Sequence, residues 1–134
     1  MKILPLLVGF ILAACAPVSP APTSAAEASD VRLTSERVSP AVVRLTLHND
    51  SAGRVGYNLC SSTLQRKSDS TWTRVPTDEV CTMVLMSLEP GRSATFDKSL
   101  PAGLSPGQYR YVTSVENPVE VPQTEIATDP FTVG

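Results

Sequence analysis

Few residues in this chain of 134 could do chemistry. There is one histidine, His48, and there are three cysteines, Cys15, Cys60 and Cys81. A nucleophilic triad needs a base held beside a serine or cysteine. His48 falls on the polar parity of an alternating run, where a solvated or turn-bonded imidazole is the expectation. A zinc site needs three or four His, Cys or carboxylate ligands, more than one histidine and a cysteine pair supply. Asp78 and Glu79 are adjacent carboxylates, as in sugar hydrolysis, but neighbours in an extended chain point to opposite faces and suit a solvated loop. Asp50, Asp69, Asp78 and Asp129 fall at turns, yet no loop has the dense Asp/Asn pattern of a calcium site. There is no glycine-rich phosphate loop. The reading is of a non-enzymatic protein without metal or cofactor.

The elements that must carry these residues begin with the leader. In residues 1–14, Lys2 is followed by the apolar run Ile3 to Leu12 and by Ala13 and Ala14, the layout of a secretory signal too short for a lasting membrane span. Leu12-Ala13-Ala14-Cys15 resembles the lipobox of bacterial lipoproteins. That resemblance implies a lipid on the Cys15 sulfur and cleavage before Cys15. Two or three acyl chains would then hold the protein stably on a membrane, where a single chain binds only marginally. Ala16, rather than Asp, after the lipidated position favours the outer membrane if the source cell has two membranes. Residues 15–29 read as a Pro/Ala/Ser tether in which Val18 is the one large apolar residue after Cys15. Residues 30–134 form the folded domain.

Charge narrows the partners. The formal net charge of −2 becomes −3 once Lys2 leaves with the signal. That balance leaves no basic face for phosphates, so nucleic acid is not expected as a partner.

Within the domain, short apolar runs recur about every ten residues between turn signals, the pattern of a β-sandwich or barrel. Val43, Leu45 and Leu47 alternate with Arg44, Thr46 and His48, which predicts a strand with one buried and one wet face. Asn49 to Gly53 is a turn, and Val55, Tyr57 and Leu59 alternate after it. Runs at 63–67 and 71–75 flank a hairpin tip at Ser68-Asp69-Ser70, next to Trp72, the single tryptophan. Both parities of 80–88 are apolar, which fits either a doubly buried strand or an irregular extended piece. Glu89-Pro90-Gly91 is a strong turn. Ala94 and Phe96 point inward from 93–100. After Ser105-Pro106-Gly107, the residues Tyr109, Tyr111, Thr113 and Val115 share one face, and a last strand covers about 127–133.

The order Leu47-His48-Asn49-Asp50-Ser51, Leu64-Gln65-Arg66-Lys67, Trp72, Val75-Pro76, Leu88-Glu89-Pro90-Gly91-Arg92-Ser93 and Leu104 to Arg110 is similar to that of bacterial immunoglobulin-like domains. The resemblance covers about 30–134 and implies an all-β antiparallel sandwich of about seven strands, with no known chemistry. The turn and Gly-x-Tyr at Tyr109 resemble a tyrosine corner, in which a buried hydroxyl bonds back to nearby backbone. With Cys15 lipidated in an oxidising compartment, Cys60–Cys81 is the remaining intramolecular disulfide. It does not join the strands bridged in antibody domains.

Function then rests on surfaces. The stretch 116–129 is long for a hairpin loop. Val119, Val121 and Ile126 give it apolar anchors, rimmed by Glu116, Glu120 and Glu125. It fits a contact surface, and equally a loop folded back on the sheet. The leading expectation is a lipid-anchored binding or assembly module with a protein partner in the cell envelope. The alternatives are a peptidase inhibitor inserting 116–129 and 49–56, and a structural envelope spacer.

Overall fold

The computed structural model describes residues 30–134. The signal, Cys15 and the tether lie outside the described residues. Strand β1 (Val31–Ser39) contributes only two core residues, Val31 and Leu33, an alternation too short to mark it as a strand in sequence. Its pairing with β2 (Val42–Asn49), where Val43, Leu45 and Leu47 are fully buried, makes it one. The remaining strands are β3 (Val55–Tyr57), β4 (Thr63–Ser68), β5 (Thr71–Arg74), β6 (Met86–Leu88), β7 (Ser93–Ser99), β8 (Gly107–Glu116), β9 (Thr124–Ala127) and β10 (Phe131–Val133).

They form two antiparallel sheets packed face to face. One runs β1-β2-β7; the other runs β5-β4-β8-β3-β6, with β9 and β10 also on β8. Ten segments occupy seven strand positions because three strands are interrupted. β3 and β4 both pair with the same edge of β8, separated by a 3-10 turn at Leu59–Ser61. β6 and β5 pair with them in turn, and β9 and β10 share the other edge of β8. This is an immunoglobulin-like sandwich of three strand positions on four. The expected last strand at 127–133 is in fact two pieces. Thr128, between them, donates its N–H to Tyr111 O, and its Oγ1 accepts from Tyr111 N–H.

Between the sheets, Leu45 and Leu47 meet Val55, Leu64, Tyr109, Tyr111 and Val115. Each such side chain contributes roughly 1.5–3 kcal/mol of burial. The run at 80–88 turns out to be the irregular alternative. Only Met86–Leu88 is strand, and only Leu88 is buried.

One end of the sandwich is gathered by Asn49, which is fully buried. Its Nδ2 donates to Gly53 O and Leu88 O, both at 2.9 Å. Its Oδ1 accepts from Ser51 N–H and Oγ, at 3.0 and 2.6 Å. Its main chain bonds Arg92 O and Gly91 N–H. Gly91 takes φ +73, which favours glycine there. The chain enters at this same end, with Asp50 N–H donating to Asp30 O at 2.7 Å.

Candidate functional site

Near the start of β8, the Tyr109 hydroxyl donates to Ser105 O at 2.6 Å and the ring is 1% exposed. This is the geometry of a tyrosine corner, tying the turn to the strand four residues on. Phe131 stacks beside both Tyr109 and Tyr111. Trp72 is half-buried on the outer face of the larger sheet, with the Arg110 guanidinium 4.3 Å from its ring centre.

His48 lies in a ladder across the outer face of the smaller sheet. Its Nε2 is 3.0 Å from Thr34 Oγ1 and its Nδ1 3.1 Å from Ser93 Oγ. Both ring nitrogens meet hydroxyls, so no carboxylate orients the imidazole as a base. Below it, Arg44 and Asp97 form an exposed bidentate pair. The hydrogen bond to Arg44 lowers the pKa of Asp97, and the bond to Asp97 raises that of Arg44.

The side of the molecule around the disulfide is built differently. Cys60 sits in the 3-10 turn that interrupts β3 and β4; Cys81 sits in the irregular chain that separates β5 from β6. They are bonded, with Cα atoms 5.7 Å apart. Both neighbouring strands lose their ladder at the same level, and the disulfide spans the gap. Asn58 Nδ2 adds a second link to Thr82 O at 2.8 Å.

Lys98, on β7, enters this gap from the other sheet. It has the inward parity of Ala94 and Phe96 and is 3% exposed. Its ammonium donates to Cys60 O at 2.6 Å and pairs with the Glu79 carboxylate. Both carboxylates thus lie on exposed, irregular chain as the sequence suggests, but Glu79 also reaches the buried Lys98, while Asp78 forms no ion pair among the described residues. Burial, then the Glu79 charge, raises the pKa of the Tyr111 phenol. The inward parity of a lysine at 98 is a sequence signal that could have found this pair.

Beyond the disulfide, the chain carries apolar side chains into solvent. Val80 is 93% and Met83 92% exposed, and Val84, Leu85 and Met86 are about half exposed or more. They line two hollows. One, of about 420 Å³, opens between the sheets and is bounded by Tyr57, Leu59, Val80, Val84, Met86 and Phe96. The other, of about 210 Å³, lies between Met83–Leu85 and Ser114 and Gln123.

The 116–129 stretch borders the second hollow. Its far part is β9, with Ile126 half-buried against the core. Val119 is half-buried and donates its N–H to Arg54 O. Val121 is exposed, as are Glu120 and Glu125. Glu116 accepts from Glu120 N–H. At Gly56 a Cβ would stand 3.1 Å from Leu85 Cδ2 and 3.2 Å from Glu116 Oε2, so glycine permits their close approach. The loop and the apolar stretch at 80–86 therefore share a border. The 49–56 loop meets 118–120 at the Asn49 end, where the chain enters.

The fold defines an immunoglobulin-like sandwich with an off-pattern disulfide. The family described as bacterial Ig-like domain matches residues 25–129, and the chain belongs to it. Domains of this family are generally non-enzymatic. No curated protein matches the sequence.

Proposed function

We propose that this protein is a lipid-anchored component of a bacterial cell envelope whose Ig-like domain binds a protein partner as an assembly or scaffolding module. The anchoring half rests on Leu12-Ala13-Ala14-Cys15 at the end of the apolar leader. The binding half is carried by one observation: five large apolar residues between Val80 and Met86 are held in solvent by a disulfide on one side and a strand on the other. A soluble domain that fixes a contiguous apolar patch outward presents a contact surface.

Two measurements test the two halves separately. Cys15→Ala should move the protein from the membrane fraction to the soluble fraction; unchanged membrane retention would remove the lipid anchor. A photoreactive residue at Met83 in the full chain should capture one dominant protein in the source cell, and one at Ser70 should not. Capture at Val121 of a peptidase would support the inhibitor reading instead. No capture at any of the three positions would leave the protein a spacer.

A further inference from the structure

We propose that the hollow between the sheets receives an extended strand from the partner, added to the free edge of β7, with aliphatic side chains at alternate positions and a basic residue at one end. The inference rests on the binding reading above and specifies its mode.

Among the described residues β7 is an edge strand, hydrogen-bonded to β2 alone. Among the described residues no main-chain bond joins 76–85 to its other edge. Peptide groups there are available to a fourth strand. The sheet opposite is open at the same level, since 75–85 is not strand. Between them lies the hollow of about 420 Å³, with Thr95 and Phe96 of β7 on one wall and Tyr57, Leu59, Val84 and Met86 on the other. Pockets that take ligands fall in the range of roughly 300–1,000 Å³. A strand added to β7 would direct every second side chain into this space and the others to solvent. The far wall is fixed by the Cys60–Cys81 bond and the Asn58–Thr82 link, so little order would be lost on binding.

Charge selects the occupant. The cations of β7 and its neighbour are matched, Lys98 by Glu79 and Arg44 by Asp97. Asp78, which lines a hollow with Ser99 at the end of β7, has no such cation among the described residues. A basic residue on the incoming strand would pair with it. A second copy of the chain would bring another unmatched Asp78, and an anionic bilayer would repel that carboxylate. The chain's own residues 16–29 hold only Val18 as a large apolar residue and offer no alternating strand.

The test uses the full chain in phosphatidylcholine nanodiscs, with empty nanodiscs as the blank. The probe is a fluorescent nine-residue peptide with valine at every second position, threonine between, and lysine at one end. Saturable binding is expected. Methylating alternate backbone nitrogens of the peptide should weaken it by about tenfold or more, as should Val84→Lys in the protein. Replacing the lysine by glutamate should also weaken it. Val84 is 59% exposed, so a urea melt should show V84K folded as the parent is. Equal affinity for the methylated peptide, or no saturation up to about 1 mM, would overturn strand addition. So would self-association abolished by V84K, or binding to empty anionic vesicles by a Cys15→Ser chain. If Met83 still captures a partner in cells while the peptide fails, the binding reading stands and only its mode falls.

Discussion

The Asn49 end and the disulfide side solve the same problem with opposite means. At Asn49 one buried amide makes four hydrogen bonds that tie its own turn, at Ser51 and Gly53, to the chain at Leu88. Around Cys60 and Cys81 the backbone ladder is missing. A covalent bond and an ion pair to Lys98 stand in for it. The first region is closed, with Leu88 and Val55 covered. The second keeps Val80 and Met83 almost entirely in solvent. Stapling two strands covalently at one point leaves the apolar side chains beyond it free of any duty in the core. An apolar surface can thus be held in place without being buried.

The comparison breaks most visibly if the staple is cut. Replacing both Cys60 and Cys81 by serine should cost about 3 kcal/mol on the chain-entropy account of a loop this long. Urea melts of oxidised parent and variant would read it; a midpoint within error of the parent would mean that the disulfide side is held by something else. Asn49→Ala should cost about 2 kcal/mol, because Leu88 O loses its buried amide donor and Gly53 O keeps only Ser51 Oγ. The same melt checks it, and a much smaller loss would show that the loops hold one another.

The ion pair sharpens the contrast through its asymmetry. Glu79→Ala leaves the Lys98 ammonium buried with one carbonyl and should cost about 1–2 kcal/mol, discounted because Glu79 is partly exposed. Lys98→Met removes the charge as well and should cost less. The opposite ranking in denaturant would make Lys98 itself the support. Tyr109→Phe should cost about 1 kcal/mol, one buried hydrogen bond. A change within error would detach the corner from stability. Last, Met83→Lys should shift stability by no more than about 0.5 kcal/mol. A larger loss would mean that the exposed stretch supports the fold after all.

Parity made part of this legible in advance. Val43, Leu45 and Leu47 on β2, and Tyr109, Tyr111 and Val115 on β8, announced buried faces because a strand alternates strictly. The turn at Glu89-Pro90-Gly91 and the pairing of two remaining cysteines also needed no coordinates. Alternation failed at 80–88, where both parities are apolar and period alone cannot separate a doubly buried strand from an irregular extended piece. It failed again at β1, whose polar second half is strand only because β2 lies beside it.

By itself, the sequence determined the fold class, the strand faces, the lipobox resemblance and the identity of the half-cystines, all of which follow from local pattern and composition. Tertiary structure alone decided that three strands are interrupted and which carboxylate meets the buried Lys98. It also decided that the chain beyond Cys81 stands in solvent beside a free strand edge. These depend on which segments end up adjacent across the sandwich. No local periodicity carries that information, because burial belongs to a pair of surfaces and not to a residue.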